Sequence, residues 1–302
     1  MPREKKGFSL GIGFYFTLAL IVIIGSAIWG GLRKDNKSNL DVLTPESITH
    51  PHIFSYSADD TSLWIGTHTG VYELVDQKWH RTFKPLATSD VMGIETSPDN
   101  PLTIFAAGHG FVKRSSDGGQ SWETIENGLP NKAKPNEPDA HYLTMDPNNS
   151  KHLFTLLAGA DNNLYETRDG GQTWQNVGTI PQGAYSITML PSAPETILAA
   201  TETGLVRYTI QAGTLKQIQL TNEPAYEVFS LSDGGVIMMT ESQFLKSSDL
   251  KTWSDIDVDL NDGEMPLGIR ASKKDPKRLT IITDQYSVYE SNDGGSSWSL
   301  RK

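Results

Sequence analysis

The chain of 302 residues contains no cysteine. That absence excludes disulfide staples, thiolate metal sites, a cysteine nucleophile and a lipidated N-terminal cysteine, so a folded domain here is held by its core alone. Basic residues are the minority charge, 26 Lys and Arg against 36 Asp and Glu. Residues 1–37 hold six of the basic and two of the acidic ones, which leaves 20 against 34, or −14, for the remainder. A surface of that sign repels phosphate backbones and argues against nucleic acid as a partner. With 37% hydrophobic residues the chain has enough apolar side chains to build one large core.

Long apolar runs are lacking, with one exception. Arg3, Lys5 and Lys6 precede 25 uncharged residues from Phe8 to Leu32. As a helix rising 1.5 Å per residue, such a run is longer than the roughly 30 Å of a bilayer core. The expectation is a short basic tail (1–7), a transmembrane signal anchor (8–32), a linker (33–44) and one folded domain (45–302). A cleaved signal peptide, with Gly25-Ser26-Ala27 as a weak site, is the alternative. Arg33, Lys34 and Lys37 balance the basic residues on the near side, so charge asymmetry does not set the orientation. The location expected is the cell membrane, single-pass, with the domain outside the cytoplasm and the membrane contacted through the N-terminal helix.

Internal repeats carry the fold. Ser115-Ser116-Asp117-Gly118-Gly119-Gln120-Ser121-Trp122 recurs as Thr167-Arg168-Asp169-Gly170-Gly171-Gln172-Thr173-Trp174 and as Ser291-Asn292-Asp293-Gly294-Gly295-Ser296-Ser297-Trp298. A shortened copy is Ser247-Ser248-Asp249-Leu250-Lys251-Thr252-Trp253. In this pattern the carboxylate can accept turn N–H groups, the glycines supply positive φ and the Trp anchors the next strand. Asp117, Trp122, Asp169, Trp174, Asp249, Trp253, Asp293 and Trp298 are therefore structural residues.

The boxes' aspartates are spaced by 52, 80 and 44 residues, and the gap of 80 hides one decayed repeat around Gly204-Leu205-Val206-Arg207-Tyr208. Another precedes the first box, at Gly70-Val71-Tyr72-Glu73-Leu74 with Trp79. Six units near 40 residues, each written as four short strands, predict an all-β, six-bladed β-propeller of four-stranded antiparallel blades, preceded by one transmembrane helix. Closure is expected to use Leu43 to Thr49, or Trp298 to Arg301, in a blade supplied mainly by the other end of the chain.

The repeats resemble the Asp-box (BNR) propellers of sialidases, sortilin-type receptors and photosystem II assembly factors, over roughly residues 45–302. Thr67-His68-Thr69-Gly70, Val91-Met92-Gly93-Ile94 and Ala107-Gly108-His109-Gly110, with the boxes that follow, are similar to a family of exported bacterial propellers labelled glycosyl hydrolase-like. The resemblance implies the fold and is almost silent about activity. Sialidase-type chemistry would bring three arginines, a Tyr and Glu pair, an acid Asp and an F/Y-R-I-P motif, and the sequence has no such motif.

Within a blade, the start of the innermost strand and the turn between strands two and three lie on one face, and the boxes on the other. Aligning the units puts His52, Met92, His141, Tyr185, Tyr226 and Leu267 around the channel mouth. The turns add His68, His109, Asp161, Glu202, Glu241 and Asp284 to the same rim. Four of seven histidines fall there. Imidazole with carboxylate suits a ligand or a transition metal, and solvated turn residues are the plainer reading. The expectation taken is a protein or glycan ligand on this face, with no metal or cofactor assigned and no catalytic residue named. A glycoside hydrolase or lyase using carboxylates such as Asp161 and Glu202 is the alternative. The proline-bearing connection Asn127 to Ala140 opens onto this face. Asp255, Asp257 and Asp259 alternate with Ile256, Val258 and Leu260, which describes an outer strand and not a calcium loop.

Overall fold

Blade two shows how the sequence builds the repeat. Apolar residues alternate or run together over five or six positions, then Pro, Gly or Asn-Pro breaks the pairing. The strands are Val91–Thr96, Ile104–Gly108, Phe111–Ser115 and Glu123–Thr124, hydrogen-bonded in that order as an antiparallel meander. In the computed structural model, which describes residues 41–44, 47, 49, 51–130, 137–158, 162–181, 183–211 and 213–301, the same order recurs to give six sheets. The innermost strands are Pro51–Tyr56, Val91–Thr96, Ala140–Asp146, Ser186–Leu190, Ala225–Ser230 and Pro266–Ala271. The protein is an all-β, six-bladed propeller of four-stranded antiparallel blades, with a fifth short strand on blade one.

The core lies between the blades. Six clusters of buried side chains fill the six gaps, for example Phe105, Leu143 and Leu153 between blades two and three, or Ile237, Ile269 and Ile281 between five and six. The box tryptophans take part in an ordered way: each packs back onto the preceding blade. Trp122 meets Phe83 at 5.7 Å, and Trp174, 3% exposed, donates its indole N–H to Ile125 O at 2.8 Å. Trp253 and Trp298 lie against blades four and five, half-buried. Where the repeat has lost its Trp, in blade four, Leu215 packs against the blade-three side of the gap.

The turns are held by their own side chains. Asp117 accepts from Ser121 N (2.9 Å) and Ser121 Oγ (2.6 Å), while Ser115 Oγ accepts from Gly119 N (2.8 Å). Asp169 and Asp293 repeat this on Thr173 and Ser297. Asp249, in the shortened copy, accepts from Lys251 N, Thr252 N and Thr252 Oγ1. Those hydrogen bonds hold the Asp117, Asp169 and Asp293 carboxyls down at about 2. The alternation after Trp253 also takes the form expected, with Ile256 buried and Asp255, Asp257 and Asp259 exposed, although the strand itself stops at Ile256.

Closure differs from the expectation. Neither terminal segment crosses to the other end's blade among the described residues. Val42–Leu43 pairs with Lys78–Thr82 on the outer edge of its own blade, and Ser299–Leu300 is the outer strand of blade six. The repeats supply the reason, since each unit already carries four strands in sequence and leaves no vacancy to fill. Side chains seal the ring. Trp79 donates to Tyr286 O (3.2 Å), Tyr286 Oη to Thr49 O (2.6 Å), and Asp60 accepts from Ser272 Oγ (2.6 Å) and the N–H groups of Lys273 and Lys274 (2.9 Å each). The anchor expected at 8–32 lies outside the described residues. Among those described, no helix is long and apolar enough to cross a membrane.

Candidate functional site

The first strands do not begin smoothly. In five blades the register slips by one residue after the first pair, at Pro51/Ile53, Val91/Gly93, Ala140/Tyr142, Ala225/Glu227 and Pro266/Gly268. The skipped residues are His52, Met92, His141, Tyr226 and Leu267, five of the six placed at the channel mouth from the sequence. A bulge releases a residue from the ladder and turns its side chain away from the pleat, a device common beside functional sites. Tyr185, the sixth, precedes its strand and donates its N–H to Ala200 O at 2.8 Å.

Blades one to three bring four histidines and two aspartates together. His52 Nε2 lies 3.1 Å from His68 Nδ1, which lies 2.8 Å from Asp90 Oδ2. His52 Nε2 is also 3.3 Å from Asp90 Oδ1. A second trio repeats the chemistry, with Asp139 Oδ1 2.8 Å from His109 Nδ1 and 3.0 Å from His141 Nε2. His109 links the trios, because its other nitrogen, Nε2, stands 3.7 Å from Asp90 Oδ2.

Asp90 and Asp139 were not singled out in the sequence. Both sit one residue before an innermost strand, at equivalent places in blades two and three. Local structure fixes each. The chain leading to Asp90 is pinned by buried Leu86 and by Arg81, which donates to Thr69 O (2.8 Å) and to Ala87 O. Asp139 bridges to His109 through the backbone, with Gly110 N bonded to Pro138 O (3.0 Å) and Ala158 N to Asp139 O (2.8 Å). An acidic residue before an apolar strand in two successive repeats, opposite a turn histidine, is the signal that would have found them.

Burial, reinforced by the neighbouring His68, pulls the His52 imidazole down to about 4 against the opposing pull of Asp90. Burial would also raise both carboxyls, but the imidazoles of His52 and His68 hold Asp90, and those of His109 and His141 hold Asp139, well below the usual carboxylate range. His109 moves up, since Asp139 and then Asp90 outweigh the effect of burial. Nevertheless Asp90 Oδ1, Asp139 Oδ1 and His141 Nε2 are buried without a hydrogen-bond partner. These nitrogens and oxygens approach closely without the alignment that a hydrogen bond needs.

The other half of the rim is aromatic. Tyr185, 39% exposed, faces Tyr226 with ring centroids 5.4 Å apart. Burial and the nearby charge of Glu202 raise the Tyr185 phenol, and burial and Glu241 raise that of Tyr226. Asp284 is used by the fold, accepting Met265 N at 2.9 Å. Asp161 lies outside the described residues, as does the middle of the connection after Asn127. Below the mouth, Arg270 pairs with Glu227 and stacks between Phe54 and Phe229 at 5.1 and 5.2 Å. Deeper still, Lys273 Nζ donates to Thr96 O (3.0 Å) and faces Glu95 at 3.8 Å.

No family model matches the sequence. Over 199 residues, 61% of this chain, it is 26% identical to the oligoxyloglucan-reducing end-specific xyloglucanase of Emericella nidulans, and the match covers 24% of that protein. Among solved structures, the GH74 enzyme of Niastella koreensis superposes with a TM-score of 0.61 at 17% identity, over 86% of this chain and 46% of that one. The GH74 xyloglucanase from Xanthomonas campestris gives 0.58 at 16%, over 84% and 45%. YCF48 bound to D1 peptide gives 0.57 at 16%, over 86% and 83%. At these identities the likeness is one of fold. The chain spans about a quarter of the xyloglucanase's length and less than half of either GH74 enzyme.

Proposed function

We propose that this propeller of Asp-box type is anchored in the cell membrane by residues 8–32, displayed outside the cytoplasm, and serves as a binding or assembly scaffold. Its ligand is a protein segment, glycan or envelope component seated on the channel-mouth rim. One observation carries this reading, the unequal treatment of the two faces. On the box face, the Asp, Ser and Thr side chains satisfy one another within each turn. On the rim, bulges release five residues, buried polar atoms stay unpartnered, and Tyr185 exposes its ring beside Tyr226. Neighbouring tyrosines offer large, stiff contact area to a peptide or a sugar ring. A propeller of similar size and fold, YCF48, has been seen bound to a peptide, which supports the same use here.

The test is crosslinking from detergent extracts of cells carrying the full chain. Replacing both tyrosines (Tyr185→Ala with Tyr226→Ala) should leave the melting temperature nearly unchanged and abolish recovery of the crosslinked partner. Undiminished recovery would remove the rim as the site.

A second reading, a glycoside hydrolase or lyase, is favoured by the likeness to xyloglucanases. Acid–base work would fall to rim carboxylates such as Glu202 and Glu241. Turnover of any member of a glycan panel, lost in Glu202→Gln, would replace the scaffold reading with this one.

A further inference from the structure

We infer that the rim of blades one to three is a two-subsite centre for divalent first-row transition ions, one held by His52, His68 and Asp90 and the other by His109, Asp139 and His141. This names a ligand for the same rim that the scaffold reading uses and rests on that reading only for its location.

Composition argues first. Each trio offers two imidazoles and one carboxylate, with its ligand atoms within 4.8 Å of one another. That donor set suits Zn²⁺ or Cu²⁺ and is a poor match to calcium or magnesium, which take oxygen ligands. Distances argue second. Metal–ligand bonds of about 2.0–2.1 Å in a tetrahedron place neighbouring ligand atoms about 3.3 Å apart. The approaches here are 2.8, 3.1 and 3.3 Å in the first trio and 2.8 and 3.0 Å in the second. The first trio's approaches use both oxygens of Asp90, and the second trio's histidines share Asp139 Oδ1, so in each set the ligand atoms stand within 4.8 Å of one another and can converge on one ion. Direction argues third. Asp90 Oδ1, Asp139 Oδ1 and His141 Nε2 lie next to complementary atoms yet form no aligned hydrogen bond. One cation in each trio would satisfy them, Asp90 Oδ1 in the first and Asp139 Oδ1 with His141 Nε2 in the second, whereas buried polar atoms left unpaired are costly.

The positions share an origin in the fold. His52 and His141 occupy strand-start bulges, His68 and His109 the turns between strands two and three, and Asp90 and Asp139 the residues entering innermost strands. The centre therefore straddles the first three blades, and its donors come from all of them. With three protein donors per ion, each subsite leaves a fourth coordination position to a non-protein ligand, as exchangeable and catalytic sites do and closed structural ones do not. His109, with Nδ1 at one trio and Nε2 toward the other, couples the two.

Metal content is the direct test. The full chain in detergent is stripped with chelator, dialysed against Zn²⁺ and, separately, Co²⁺, then assayed by elemental mass spectrometry and by visible absorption of the cobalt form. The expected result is two ions per chain, with cobalt bands typical of low coordination number. His52→Ala with His68→Ala should remove one ion, Asp139→Ala with His141→Ala the other. To guard against collapse of the alanine variants, His68→Gln and His141→Gln are run beside them, and each should weaken one equivalent at least tenfold while keeping the wild-type circular dichroism. Uptake of fewer than two ions, or stoichiometry indifferent to these changes in folded protein, would overturn the centre. The scaffold reading stands or falls separately: partner recovery that survives chelation retains it without the metal, and two tightly held ions with no recovered partner retain the metal without the scaffold.

Discussion

At the scale of single residues, the rim depends on positions that look inert in the sequence. Gly108 is one: a Cβ there would stand 1.9 Å from Asp90 O, so only glycine lets blade two's second strand pass the carboxylate's own backbone. Gly108→Ala is expected to lower stability by about 1–3 kcal/mol in urea titration, as overpacking does, and to displace Asp90. Arg270 is another. Its side chain is only 12% exposed, and removing it leaves the buried Glu227 carboxylate with Ile269 N as a donor but without its counter-charge. Arg270→Ala should cost about 3–5 kcal/mol by the same measurement, more than a double change to Met and Gln that removes the pair together. The four histidines were legible because they occupy repeat-defined turns and strand starts. Asp90 and Asp139 were not, since the connections that deliver them vary in length between blades and a repeat comparison centred on boxes passes over them. Asp284 was legible in position, but not its hydrogen bond from Met265 N, which depends on a connection outside the repeat.

Among elements, the box turns carry a pH signature. The ordinary carboxyl value is 3.8, and Asp117, Asp169 and Asp293 are each held at about 2. Because the unfolded chain binds protons first, stability from these turns is fully present above about pH 4 and is lost as pH falls through 2. Replacing the three aspartates together by asparagine should flatten the fall in melting temperature between pH 4 and pH 2. The tryptophans should differ in weight although their motifs are alike. Trp174 is 3% exposed and bonded across the gap to Ile125 O, so Trp174→Ala should cost about 3–5 kcal/mol, and Trp122→Ala, at a half-buried site, visibly less. The sequence motif marks the indole but not its partner blade, which depends on how tightly neighbouring sheets approach.

For the molecule as a whole, blade number and strand order were readable from the repeat, and the mode of closure was not. Four strands per unit can be counted along the chain. Whether a terminal strand crosses over depends on long-range packing, here Trp79 and Tyr286 at the seam between blades one and six. Removing residues 299–302 should therefore leave the ring shut, with a small drop in melting temperature, since Ser299 and Leu300 are exposed on an outer edge. Trp79→Ala should open the seam, read as a larger drop and as new protease cuts confined to blades one and six.

Because that seam is made of side chains and every blade is a continuous stretch of sequence, the ring has no mechanical latch among the described residues. A circular permutant cut at any inter-blade loop and rejoined through a linker would carry the same inventory of sheets and gaps as the parent. Duplication or loss of a whole repeat would likewise meet resistance only from the geometry of the circle, and the three-blade cluster of histidines would travel as one cassette.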